Sequence, residues 1–240
     1  MNAIRAEWIK LRSVRSTLIL LAAGGVMTVL FAVLIANDIS DEGRTFHLTD
    51  ISAGATIAVY LFGTLGVQII GQEYRFNTIR PTFSANPNRL QVLAAKIVVV
   101  SVTVAIVAVA MQLVATLIGT AMLDPFTVDG VDQRAILGTA LFAIGWAMIG
   151  VGIGAILRQP VAGIVILLVE GAVVEGIVGS LFSWTTKWLP FANGSQMMVR
   201  NDSSNEDFVL RSPLGGGIYF FVVAAVILAL GAYLANRRDA

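Results

Sequence analysis

Two glutamates in an otherwise apolar stretch are the first residues of this sequence whose chemistry needs an explanation. Glu170 and Glu175 lie five residues apart within the segment 161–182. A carboxylate at the centre of a bilayer costs on the order of 2.5–3.5 kcal/mol on insertion scales, so such a residue is rarely without a role. Five residues of α-helix leave two side chains about 140° apart. We therefore expect the two carboxyl groups to face different neighbours.

Two roles are open for this pair. In the functional one, Glu170 and Glu175 contact a cationic substrate or act as a gate, in a translocation pathway that also includes Gln68 and Gln112. In the structural one, each is a neutral or hydrogen-bonded acid that locks helices together. A proton relay through either glutamate would make the chain a proton-coupled carrier. An intramembrane enzyme is a further alternative, but these two residues are the only catalytic candidates at membrane depth.

Other reactive groups are scarce, which excludes several classes of protein. The sequence has no cysteine, so disulfides, thiol catalysis and cysteine-type zinc sites are excluded. Its one histidine, His47, lies in a segment with scattered acids, and we predict no metal site and no catalytic residue there. No Gly-x-x-x-x-Gly-Lys-Ser/Thr loop is present to hold the phosphates of a nucleotide. If the chain works with ATP, a separate protein must hydrolyse it.

The elements that position these residues are predicted to be six transmembrane helices. The chain is 57% hydrophobic and 13% charged, with a mean hydropathy of +0.82. A helix needs about 20 apolar residues to cross a bilayer, and only helices or closed barrels satisfy their backbone groups there. The alternating pattern of a barrel is absent. We therefore predict an all-α membrane protein with spans at 17–36, 51–70, 97–118, 135–157, 161–182 and 215–235.

The distribution of cations predicts the orientation of these spans. Eleven of the 16 Lys and Arg residues lie in the segments that share one side of the membrane with both termini. The positive-inside rule places that side in the cytoplasm. The prediction is a multi-pass protein of a bacterial cytoplasmic membrane, with a cytoplasmic loop at 71–95, an external loop at 183–214 and a cytoplasmic tail at 236–240.

The segment 1–16 has the pattern of an interfacial helix. Four apolar residues fall within about 120° of a helical wheel, although Glu7 and Arg15 interrupt the arc; the four are Ile4, Trp8, Leu11 and Val14. The helix would either anchor the first span or couple it to a cytoplasmic partner. Its candidate functional residues are Glu7, Trp8, Lys10 and Arg12.

The loop 71–95 contains a second candidate docking element. The segment 73–80 is long enough for two helical turns, and we expect Pro81 to end them. Aromatic and Arg residues dominate binding energies at interfaces, which favours a docking surface over a solvated loop whose cations only set the topology. The candidate coupling residues are Glu73, Tyr74, Arg75, Phe76, Thr78, Ile79 and Arg80.

The order of these motifs resembles the ABC-2 type permeases of ATP-binding-cassette exporters, especially the short six-span proteins of actinobacteria. The matching stretches are 7–16 before the first span, 71–75 and 78–80 after the second, then 87–89 and Lys96 leading into the third. In that family the loop carries Glu and Thr in this relation, followed by Pro, Arg and Lys. Pro81 directly after Arg80 departs from the pattern.

The resemblance implies a type V exporter-like fold and a mechanism shared with other subunits. In that family the loop forms a coupling helix that inserts into a cytoplasmic ATPase, so two ATPase copies would carry the ATP and Mg²⁺ and this chain would need no cofactor. Six spans are half of the usual pathway, which implies a second copy or a similar permease. The cargo would be hydrophobic or amphipathic (a drug, peptide antibiotic or lipid), and no nucleic acid is expected as a partner.

Overall fold

Ten α-helices and two very short strands make up the parts of the chain that the computed structural model describes, which are residues 2–39, 45–86, 88–199 and 212–237. In chain order the elements are α1 (Asn2–Ser13), α2 (Arg15–Ile39), β1 (Phe46–His47), a 3₁₀ turn (Leu48–Ile51), α3 (Ala53–Arg75), α4 (Ile79–Ala85), α5 (Arg89–Met122), β2 (Phe126–Thr127), α6 (Gly130–Leu157), α7 (Pro160–Val169), a π turn (Glu170–Val174), α8 (Glu175–Leu181), a 3₁₀ turn (Ser183–Trp188), α9 (Pro190–Ser195) and α10 (Pro213–Arg237). Three predicted parts lie outside the described residues: Pro87, 200–211 of the external loop and 238–240 of the tail.

Six long apolar helices confirm the predicted fold class. The candidate spans are α2, α3, α5, α6, the continuous stretch Pro160–Leu181 and α10. The third is longer than predicted, because α5 begins at Arg89 and its 34 residues extend about 51 Å against a hydrocarbon core of about 30 Å. Most of the predicted loop 71–95 is consequently helical: its two ends belong to α3 and α5, and α4 lies between them as a separate helix.

The core of the bundle is the contact between α3 and α6. In these two helices 61% and 67% of the span residues are buried, against 17% in α2 and 22% in α10. A side chain at Gly66 would overlap the carbonyl oxygen of Ala147, and one at Gly150 would overlap the carbonyl oxygen of Gly63. Small residues thus allow the two backbones to approach closely, as is common between membrane helices.

The two ends of the bundle are built differently, and we name them by the short helix that each carries. The α4 end holds α1, α4 and the termini of the neighbouring spans. At the α9 end, β1 pairs with β2 in parallel, with Phe46 opposite Phe126 and His47 opposite Thr127. Phe46 is fully buried there in a small apolar cluster with Leu48 and Ile51. The segment after the fifth span forms a 3₁₀ turn and α9 against α10.

Candidate functional site

Four charged side chains form a network at the α4 end of the bundle. Lys96 at the start of α5 lies at its centre, with its Nζ 2.6 Å from Oε2 of Glu7 and 2.8 Å from Oε1 of Glu73. It also donates to the carbonyl oxygen of Ile69 at 3.3 Å. Lys10 lies 2.8 Å from Oε1 of Glu7 and 2.7 Å from Oε1 of Glu73. We call Glu7, Lys10, Glu73 and Lys96 the charge network.

Burial makes this network costly to disturb. Lys96 is 1% exposed and Glu7 is 3% exposed, so neither charge is solvated by water. Two cations and two anions balance, whereas loss of one partner leaves an uncompensated buried charge. Burial acts to lower the pKa of Lys10, but its hydrogen bonds with Glu7 and Glu73 and their charges outweigh this, so its pKa is raised above 10.5.

The network explains how α1 is held against the bundle. Glu7, which interrupts that arc in the sequence, lies buried on the packed face of α1 together with Leu11. Ile4 and Trp8 are each 45% exposed, and Arg12 is exposed. Glu7 and Leu11 therefore face the bundle while Ile4 and Trp8 face away from it, and pairing with Lys96 makes the burial of Glu7 favourable. α1 is fastened to the ends of α3 and α5 by charge.

The helix predicted over 73–80 is wrong in its boundaries. α3 continues to Arg75, Asn77 takes a left-handed conformation with φ of 55°, and α4 begins at Ile79. Pro81 therefore lies in the first turn of α4 instead of ending a helix. Proline is tolerated there because the first N–H groups of a helix have no intrahelical partner.

The seven predicted coupling residues separate into an inner and an outer set. Glu73 and Ile79 are buried, and Tyr74 is half-buried with the Arg158 guanidinium 4.9 Å from its ring centroid. The outer set is exposed and consists of Arg75, Phe76, Thr78 and Arg80. Phe76 is 65% exposed, with the Arg75 guanidinium 5.4 Å from its ring. The structure thus presents an aromatic and cationic surface at the junction of α3 and α4.

Two cavities flank the charge network. One of about 870 Å³ lies between α1, α4 and the start of α5, and its walls include Ala6, Lys10 and Thr82. Lys10 donates to the Thr82 hydroxyl at 3.2 Å, which ties α4 to the network. The other, of about 490 Å³, lies between α1 and α3 and includes Leu11 and Phe76 in its lining. The charge network therefore lies between two grooves on the surface of the bundle.

Comparison with known proteins identifies the family of the chain. A family model described as ABC-2 family transporter protein matches residues 3–182, which covers α1, α4 and the first five spans. The chain belongs to the ABC-2 family. Members are transmembrane subunits without catalytic activity that generally pair with ATPase subunits, so this chain is a membrane permease subunit and not an enzyme. No curated protein matches the chain.

The glutamate pair of the permease is arranged differently from the prediction. The fifth span contains a π turn in which the Glu175 N–H donates to the carbonyl oxygen of Glu170. This i→i+5 bond places Glu175 one turn above Glu170, close enough for the two carboxyl groups to interact. The expected angle of about 140° between the two side chains was wrong, because it assumed a regular α-helix.

Glu175 also has a clear structural partner. Its Oε1 accepts a hydrogen bond from the Phe191 N–H at 2.7 Å, and its Oε2 accepts one from the Ala192 N–H at 2.8 Å. These N–H groups belong to the first turn of α9, where an acceptor must come from outside the helix. The carboxylate of the fifth span therefore caps α9. Tyr60 donates to the carbonyl oxygen of Gly171 inside the π turn at 2.7 Å and stacks on Phe191.

The two glutamines predicted to share a pathway with these acids lie elsewhere. Gln68 accepts hydrogen bonds from Ser16 and Gln72, both at 3.0 Å, near the α4 end. Gln112 is fully buried between α5 and α6, where it donates to the Thr139 hydroxyl at 3.1 Å. The structure does not bring the four predicted pathway residues together, since hydropathy gives the depth of a residue but not its facing.

Two contacts in the structure were not predicted from the sequence, although each involves a residue that the sequence singled out. Lys96 was part of the family motif, but nothing in the sequence showed that it binds Glu7, 89 positions away. His47 was thought to lie among scattered acids, yet its Nδ1 is 3.4 Å from Oδ2 of Asp132. Ligand atoms of His47, Asp129 and Asp132 lie within 4.8 Å of one another. The two aspartates form the capping box of α6, a pattern that Asp-x-x-Asp before an apolar run could have revealed.

Proposed function

We propose that this permease is the transmembrane half of an ATP-binding-cassette exporter, in which a separate cytoplasmic ATPase binds the α4 end. Two copies of the permease form the pathway and two ATPase copies supply ATP and Mg²⁺. The cargo is hydrophobic or amphipathic. Both termini and the α4 end face the cytoplasm, and eleven of the 16 cations in the sequence support this orientation.

The observation that carries the proposal is the combination of an exposed docking surface with a rigid ionic centre beneath it. Phe76 and its neighbouring cations are accessible, while the charge network joins α1, α3 and α5 directly behind them. A partner that pushes on α4 therefore moves the ends of the second and third spans together. A loop that only returned the chain to the membrane would need no such connection.

The unburied faces of the bundle support assembly with a second copy. Only 17% of the most apolar 18-residue stretch of α2, and 22% of the corresponding stretches of the fifth and sixth spans, is buried within one chain. Large apolar side chains such as Ile19 and Val26 on α2 are more than half exposed. Lipid can cover these faces, but a pathway through the membrane needs walls on every side, and a second permease copy supplies the missing ones.

The direct test is co-purification of the permease with a candidate ATP-binding-cassette ATPase from the same genome. Arg75→Ala with Phe76→Ala removes the exposed aromatic and cationic pair, and we expect loss of ATPase association. The matched control is Lys187→Ala with Trp188→Ala, since that pair is also exposed and cation–π bonded but lies at the α9 end. Full ATPase association by the Arg75/Phe76 variant, or equal loss in both variants, would overturn the docking assignment.

A further inference from the structure

A single arginine, Arg89, connects α4 with the last span, α10. Arg89, the first residue of α5, donates from Nη1 to the carbonyl oxygen of Ala235 at 2.9 Å and to that of Asn236 at 3.4 Å. These carbonyls end α10, where the last four lack intrahelical partners. The same guanidinium lies 5.1 Å from the ring centroid of Phe83 on α4. One side chain thus contacts both α4 and α10.

The turn between α4 and α5 is braced, so that Arg89 follows the movement of α4. The Asn88 side chain accepts a hydrogen bond from the Gln91 N–H at 3.0 Å and caps α5. Asn86 donates from its amide to Gln91 at 3.1 Å and accepts from the Asn88 N–H at 3.1 Å. These bonds fix the orientation of the two helices across a short connection.

At its other end α10 is packed against the segment that contains α9. Tyr219 donates to the carbonyl oxygen of Trp188 at 2.7 Å. A side chain at Gly216 would lie 2.6 Å from the carbonyl oxygen of Asn193, which shows how closely the two backbones approach. The last span is therefore a continuous element with Arg89 at one end and α9 at the other.

We propose that Arg89 is a positioning residue that transmits movement of α4 to α10, and through α10 to the segment 183–199 at the opposite end. This inference rests on the proposed function and extends the connection made by the charge network, which joins α1, α3 and α5 but does not include α10. Arginine suits the task because its planar guanidinium can stack on a ring and donate to carbonyl oxygens at once. Lysine cannot reproduce both contacts in the same geometry.

The test uses the complete complex with its ATPase in lipid nanodiscs. Because the sequence has no cysteine, Lys187→Cys supplies a single exposed reporter in the α9-end segment. Its rate of reaction with a membrane-impermeant maleimide is measured without nucleotide and with Mg-ATP and vanadate. In the Lys187→Cys protein we expect nucleotide to change this rate roughly fivefold or more, the lower range of allosteric coupling.

In the same background, Arg89→Gln and Phe83→Leu should lose most of this nucleotide response while they keep ATPase association and ATP hydrolysis. Arg237→Gln is the matched control, because Arg237 has the same charge at the end of α10 that Arg89 contacts, but among the described residues it stacks on Tyr233 of α10 itself. If Arg89→Gln folds poorly, Phe83→Leu tests the same contact between Arg89 and α4. If both variants keep the full nucleotide response with the ATPase bound, the proposed role of Arg89 is overturned and the proposed function stands. Absence of ATPase association in the parent protein overturns the proposed function and this inference with it.

Discussion

The α4 end and the α9 end of this ABC-2 permease are held together by different chemistry. At the α4 end, charged side chains from α1, α3 and α5 bind one another. At the α9 end, acidic side chains bind backbone N–H groups, as Glu175 does at α9 and Asp129 does at α6. Ionic contacts join helices as whole bodies, whereas caps fix the local conformation of a segment. The first kind suits transmission of movement, and the second suits a segment that keeps its shape.

The largest effect should come from the centre of the charge network. Lys96→Met leaves two buried carboxylates with one lysine, and breaking a buried ion pair costs about 3–5 kcal/mol. We expect a markedly lower midpoint of thermal unfolding for the purified protein. Glu7→Gln combined with Lys96→Met removes one charge of each sign and should restore part of the loss. A double variant that is less stable than Lys96→Met alone would contradict the network interpretation.

A smaller and local effect is expected at the α9 end. Glu175→Gln keeps one acceptor for the first turn of α9 but turns an amide N–H₂ towards the other N–H, at a cost of about 1–3 kcal/mol. Hydrogen exchange at Phe191 and Ala192 should accelerate, while exchange in α4 stays unchanged. Glu170→Gln is the control, because Glu170 has no bond to the α9 backbone among the described residues. Equal acceleration in both variants would remove the distinction between the two glutamates.

The smallest effect concerns Lys10, which is partly exposed. Because its pKa is raised in the folded protein, its contribution to stability is fully present below the ordinary value of 10.5 and is lost as pH rises through the folded value. The fluorescence of Trp8, taken as the difference from a Trp8→Phe variant, should therefore report constant docking of α1 from pH 6 to 9 and looser docking only above about 10.5. Lys10→Met should abolish this alkaline transition, and a transition that persists would assign it to another group.

The sequence predicts the six spans and part of the α4 end. The six spans follow from composition alone, because a bilayer requires long apolar helices. The surface residues Arg75, Phe76 and Arg80 were predicted as a docking set and are exposed, although the function of that set is a proposal. The helix boundary at Pro81 was not predictable from a rule that reads proline as a stop, since proline also suits the first turn.

The remaining errors come from information that local patterns do not hold. Glu7 and Lys96 are far apart in sequence, so their pairing depends on how three helices assemble. The proximity of Glu170 and Glu175 depends on the π turn, which has one extra residue in a single helical turn. No side-chain pattern in 170–174 predicts that turn. Gln68 and Gln112 were grouped by polarity at membrane depth, but the direction that each faces is set by neighbouring helices.

The pairing of β1 with β2 has a mechanical consequence. It joins the linker between the first two spans to the linker between the third and fourth, and Phe46 anchors the junction with a bond from its N–H to the carbonyl oxygen of Pro125 at 2.9 Å. The first four spans therefore have little freedom to separate from one another at this end.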